Sequence, residues 1–259
     1  MKKLLLSLPC SAVLALSFYL TACSGPSPEE QVREPYSLHL ERVEAREAHC
    51  DADSCSYAIF NLPELRGGDT KVCMAINDDL SAMLREHISA RLPDPAFKGS
   101  LEEMAEAFVE GYELFTMEFP DMNTQWFFEI RGDNSRLYEE HFLLHVEVSE
   151  FMGGAHPNYY AIVENYKLSN GQIISAEEVL NADSLYDRAE RAFRQKFGLA
   201  AGDDLNAAGF MFPEGRFVVA ENIALRTDSI TLIYNPYEIA PWSMGSIELS
   251  LAVDGLERE

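Results

Sequence analysis

FLLHVEVSEFMGGAHPNYYAIVENYKL, residues 142–168, is the stretch on which the fold turns. Phe142 to Val148 alternates apolar and polar residues, imperfectly, and Tyr159 to Leu168 is a second extended run. Between them lie Gly153, Gly154, Ala155, His156 and Pro157. Adjacent glycines permit positive φ, and Pro157 drives the residue before it into an extended form, so the stretch reads as a hairpin. Outward from it, residues 131–135 (RGDNS) and 169–171 (SNG) are further turn signals, and Gln125 to Arg131 is another strand. Period-2 patterning marks a strand over Tyr36 to Ala45. Ser56 to Leu62, Arg216 to Leu225, Ser229 to Tyr234 and Ser246 to Val253 also read as extended.

Helices occupy separate blocks. Ile76, Leu80, Met83, Leu84, Ile88 and Leu92 recur at three and four, which predicts an amphipathic helix over 74–92. Ser100 with Glu103 three residues on is a capping-box start for a second. Leu185, Ala189, Ala192, Phe193 and Phe197 share one face of a third, over 183–197. Segregated helices and strands indicate an α+β class, with antiparallel sheets, helices packed on one face, and two small intertwined subdomains.

The first residues carry an address. Met1-Lys2-Lys3 precedes an apolar run from Leu4 to Leu20, broken by Pro9 and marginal against the ~20 apolar residues of a bilayer span. Residues 1–22 therefore read as a signal peptide. Leu20-Thr21-Ala22-Cys23 resembles the bacterial lipobox, which implies acylation of Cys23 and a lipid-anchored envelope protein; Ser24 after it resembles an outer-membrane sorting residue. Residues 23–35 have linker composition. Cys50 and Cys55 bracket four turn-forming residues, so a disulfide across a hairpin mouth is expected, with Cys73 a buried free thiol just before the first helix. A metal site using His49 lacks a second spaced pair, and no cofactor motif is read.

Charge excludes one class of partner. With 20 basic and 43 acidic residues the formal net charge is -23, and loss of Lys2 and Lys3 with the signal takes it to -25. Such a polyanion repels nucleic acid and attracts cations or basic proteins. Lysine occurs only 6 times against 14 arginines, which also fits adaptation to salt.

Residues 153–157 (GGAHP), 164–180 (ENYKLSNGQIISAEEVL) and 232–256 (LIYNPYEIAPWSMGSIELSLAVDGL) resemble the C-terminal domain of RsiV-type anti-sigma factors and related bacterial lipoproteins. Residues 57–65 (YAIFNLPEL) and 75–88 (AINDDLSAMLREHI) resemble, more loosely, the domain preceding it in RsiV and in the deacetylase PdaC. The resemblance implies an N-terminal α+β domain over 36–120 and an RsiV-type C-terminal domain over 121–259. It also implies binding of lysozyme, a strongly basic protein. A lipid anchor in place of a membrane helix, and no deacetylase domain, leave only the extracytoplasmic module to carry over.

His156 suggests a general base beside Glu150 or Glu164, yet no nucleophile elbow, zinc helix or phosphate loop accompanies it. Turn architecture is the first reading of the loop, partner contact the second, catalysis the third. Pro236 and Pro241 bracket a segment unsuited to a central strand, and Tyr237 and Trp242 within it suit an interface or a core. The candidate contacts are Gly153, Gly154, His156, Tyr237, Glu238 and Trp242, with the two loops expected at one sheet end. Three readings follow: a binding module for a basic protein or peptidoglycan, a glycan-acting enzyme, and a structural lipoprotein.

Overall fold

The computed structural model describes residues 34–48, 55–122, 124–175, 178 and 182–252, with backbone alone for 182 and 183. The signal peptide, Cys23, the linker up to Arg33 and Cys50 lie outside these residues, so the anchor and the disulfide pairing remain expectations.

Strands β1 (Ser37–Arg46) and β2 (Tyr57–Arg66) form an antiparallel hairpin. Two helices follow. In α1 (Thr70–Ser89), Asp69 caps the N-terminus by accepting from the Lys71 and Val72 amides, and Val72, Ile76, Leu80, Leu84 and Ile88 form its buried stripe. The helix thus starts earlier than residue 74, and Cys73 lies inside it rather than before it: its half-buried thiol donates to Leu65 O at 2.8 Å. In α2 (Leu101–Glu118) the capping box forms as the spacing predicts, Ser100 Oγ accepting from Glu103 N at 3.2 Å and Glu103 Oε2 from Ser100 N at 2.6 Å.

The helices carry the chain across the sheet, so β3 (Phe127–Arg131) pairs with β2 in parallel. A parallel pair needs such a long crossover. It is the one parallel ladder among the described strands, in sheets otherwise antiparallel. Pro63 sits in β2 beyond the stretch that β3 pairs, where its missing N–H leaves no ladder bond unmade. The short β4 (Arg136–Leu137) and β3 pair different stretches of β5 (His141–Phe151), and β6 (Asn158–Lys167) pairs β5 in the long hairpin.

After α3 (Ala182–Phe197) comes a long irregular segment, then a three-stranded sheet of β7 (Asn222–Leu225), β8 (Ser229–Tyr234) and β9 (Ile247–Ala252). The strand expected from residue 216 begins only at Asn222. Phe217 and Ala220 are buried as irregular chain instead, and Tyr234 Oη donates to Val218 O at 2.7 Å.

Alternation along β5 divides the core. Phe142, Leu144, Val146 and Val148 pack with α1 and α2, whereas Leu143 on the opposite face joins Ala161, Val163, Ala224 and Ile233 in a small cluster between the two sheets. The other face of the small sheet packs on α3 through Leu185, Ala189 and Phe193. Each sheet therefore has its helices on one face, as an α+β reading requires. The division of cores falls between Tyr166 and Leu185, while the large sheet draws strands from both sides of residue 120.

Candidate functional site

The β5–β6 turn owes its shape to backbone conformation. Gly153 and Gly154 have φ of 94° and 113°, and a Cβ on either would meet nothing within 4 Å. It is the left-handed region, not a close neighbour, that favours glycine here. The turn is anchored from below by Glu150, whose carboxylate receives Arg91 Nε at 2.6 Å, Arg91 Nη2 at 3.0 Å and Asn158 Nδ2 at 3.1 Å. Arg91 Nη2 also donates to Tyr160 Oη at 3.0 Å, so the end of α1 is tied to the base of the hairpin.

The segment after β8 is held independently. Asn235 Oδ1 accepts from Ala161 N at 2.8 Å and its Nδ2 donates to Ala161 O at 3.0 Å, fixing the segment to the outer edge of β6. Glu238 Oε2 accepts from Asn235 N at 2.8 Å. Burial raises the Glu238 carboxyl above the ordinary carboxylate range, against the lowering effect of that hydrogen bond. Tyr237 between them has φ of 69° and is 57% exposed. A tyrosine in the left-handed region costs roughly 1–2 kcal/mol, which the surrounding contacts offset.

Both loops meet. The His156 and Trp242 rings stack with centroids 4.0 Å apart and 24° between planes, and Tyr237 Oη lies 3.3 Å from His156 Nε2. His156 Nδ1 is 2.9 Å from Pro157 O. A carbonyl only accepts, so Nδ1 carries the proton; in the neutral ring Nε2 then accepts from the tyrosine hydroxyl. Tyr159 contacts Trp242 edge-on at 5.8 Å. Gly245, at φ of 69°, leaves room for the Tyr159 hydroxyl, which a Cβ would approach to 3.2 Å.

Of the candidate residues, His156, Tyr237 and Trp242 form one aromatic patch, and Gly153 and Gly154 shape the turn that presents it. Glu238 shares the loop but closes its own turn. Both imidazole nitrogens of His156 are occupied, Nδ1 within its own turn and Nε2 across to the Tyr237 loop, an arrangement suited to rigidity rather than to proton transfer. Sequence reasoning did not single out Asn235, Tyr159 or Gly245; an asparagine before Pro236 signals only a turn, and its partner lies 74 positions away. Among the described residues no group of three or more His, Cys, Asp or Glu side chains could hold a metal ion.

The profile of DUF3298, a family of unknown function, matches residues 176–254. That span contains α3, the three-stranded sheet and the Tyr237–Trp242 loop, and omits the glycine turn. No curated protein matches the chain. A DUF3298 family member from Bacteroides fragilis has a similar structure, with a TM-score of 0.63 at 19% identity over 85% of this chain and 91% of that one. A DUF3298 family protein from Pseudomonas aeruginosa PAO1 is similar with a TM-score of 0.55 at 19% identity, over 86% of this chain and 94% of that one. At such identity the likeness is one of fold.

Proposed function

We propose that this chain is a lipid-anchored envelope protein that binds a basic protein partner through the His156, Tyr237 and Trp242 patch. The observation that carries the reading is Tyr237, a large exposed aromatic kept in a strained backbone conformation beside a stacked His–Trp pair. Strain persists where the surroundings over-determine it, and exposed rigid aromatics are the side chains that anchor interfaces. The acidic balance of the chain would steer a basic partner, and the resemblance to RsiV-type domains points to lysozyme as the partner to try first. Anchoring through Cys23 would set the protein at the membrane.

Retention of lysozyme on the immobilised full chain tests the reading. It is expected to fall with added salt and with Tyr237→Ala, at an unchanged melting temperature. Retention indifferent to both changes overturns it. Cys23→Ala is expected to release the protein from the membrane fraction.

A further inference from the structure

Beside Tyr159 the two sheets part, leaving a cleft of about 290 Å³. On the large-sheet side, His145, Glu147 and Ser149 alternate along β5 and so share one face. Across from them are Ser246, just before β9, and Glu248, near its start. His145 is 6% exposed, and its Nδ1 is buried without a hydrogen-bond partner. The imidazole makes no hydrogen bond at either nitrogen among the described residues; Nδ1 is closed off, so the ring meets the cleft through Nε2, which leaves a nearly buried polar side chain without a partner at the cleft wall.

The charges around it select the ligand. Glu147 accepts from Asn134 Nδ2 at 2.9 Å and faces Arg131 at 3.7 Å. Arg131, the cation lining the cleft, is also drawn to Glu129 at 4.0 Å. The Glu248 carboxylate makes no hydrogen bond or ion pair among the described residues. Arg226 and Arg136 also act on His145 but do not line the cleft, so an anion inside it would meet two carboxylates and one cation that is already shared. Burial keeps the His145 imidazole below its ordinary range, hence neutral near pH 7, with one ring nitrogen able to accept.

We propose that the cleft is a binding site for a primary ammonium group, which donates one N–H to His145 Nε2 and places its charge against Glu248 and Glu147. The Ser149, Tyr159 and Ser246 hydroxyls serve whatever polar atoms adjoin the amine. The group arrives either on a small amino sugar or on a lysine side chain of a protein. This site adjoins the aromatic patch through Tyr159, but its ammonium contacts draw on neither His156, Tyr237 nor Trp242.

The test follows the His145 ring signal by NMR in the full chain carrying ¹³C-labelled histidine, with glucosamine, N-acetylglucosamine and Nα-acetyl-lysinamide as probes. Glucosamine, acetyl-lysinamide or both are expected to shift the signal, and which of them does so identifies the carrier. N-acetylglucosamine, a similar ring without the charge, is expected to leave it in place. Glu248→Gln, a near-isosteric change at an exposed position, should weaken the response roughly tenfold or more, as loss of a charge-assisted contact does. Tyr237→Ala should leave it unchanged, which separates this site from the patch. An equal response to N-acetylglucosamine, no response to either amine, or indifference to Glu248→Gln overturns the proposal.

Discussion

Asn235 meets Ala161 as one peptide group meets another: its side-chain amide both accepts from the Ala161 N–H, at 2.8 Å, and donates to the Ala161 C=O, at 3.0 Å. Asn222 Oδ1 takes the next outward amide of β6, Val163 N, at 3.0 Å. Asn165 returns the favour to β7, donating to Ile223 O at 2.7 Å and accepting from Leu225 N at 3.0 Å. Unpaired strand edges invite pairing with other chains, and here asparagine side chains satisfy part of the edge while joining the two sheets.

Asn235→Ala strands both Ala161 backbone groups, and each unsatisfied group costs roughly 1–3 kcal/mol. Urea unfolding should show a loss of about 2–6 kcal/mol. Asn235→Asp should also destabilise, because one carboxylate oxygen would replace the donor that faces the Ala161 carbonyl. A loss below about 0.5 kcal/mol for both variants would show that water replaces the side chain freely.

Tyr237→Gly separates strain from contact. Glycine relieves the cost of positive φ, so stability should hold or rise by up to about 1 kcal/mol. Lysozyme retention should fall as it does in Tyr237→Ala. A marked loss of stability in the glycine variant would assign the tyrosine to the architecture of the loop.

Arg91 and Glu150 form a bidentate pair with side chains 19% and 11% exposed. Removing one partner leaves a largely buried charge alone, so Arg91→Met or Glu150→Gln should each cost about 3 kcal/mol or more. The double variant Arg91→Met/Glu150→Leu should recover much of that loss. Additive losses in this cycle would mean that the two residues act separately.

Stability should depend on pH through His145 and His87, both held below the ordinary histidine value, chiefly by burial. Their contribution is full above an unfolded-state value of about 6.5 and is lost as pH falls through the lower folded-state values, because the unfolded chain takes up the proton first. Glu164 and Glu238, held above the carboxylate range, act with the opposite sign: stability rises as pH falls through their folded-state values. Between pH 7.5 and 5.5 the wild type should therefore lose more stability than His145→Gln, the difference reaching at most about 1.4 kcal/mol per pH unit. Parallel unfolding curves across that window would remove His145 from the account.

Cys73 is a thiol raised above its ordinary range, first by burial and then by Glu64, and its sulfur hydrogen-bonds to Leu65 O. Alkylation at neutral pH should be slow in the native state and fast in urea. Non-reducing peptide maps should pair Cys50 with Cys55; a peptide joining Cys73 to either would refute that pairing.

Much of the architecture is local and was legible residue by residue. Ser100 and Glu103 lie three positions apart and cap the same helix turn, and Leu185, Ala189 and Phe193 lie on one face whatever they pack against. Gly153 and Gly154 mark a turn because the left-handed region favours glycine in any context. The extent of the element at residue 216 was less legible, because buried aromatic residues such as Phe217 serve a strand and an irregular core segment equally well.

Partners across the fold carry no such signature. The Tyr57–Asn61 stretch of β2 reads the same whether β3 lies beside it in parallel or antiparallel, and the choice was made by α1 and α2 packing on one face of the sheet. The stacking of His156 on Trp242 and the receipt of Ala161 by Asn235 likewise depend on where the small sheet docks against β6. His145 reads in sequence as one more polar position in an alternating strand, and only the gap between the sheets leaves its ring nearly buried and without a partner at the cleft wall. Periodicity, capping and turn chemistry act over a few residues and are written in the chain; pairing and docking are settled by the summed burial of many surfaces, which no short stretch records.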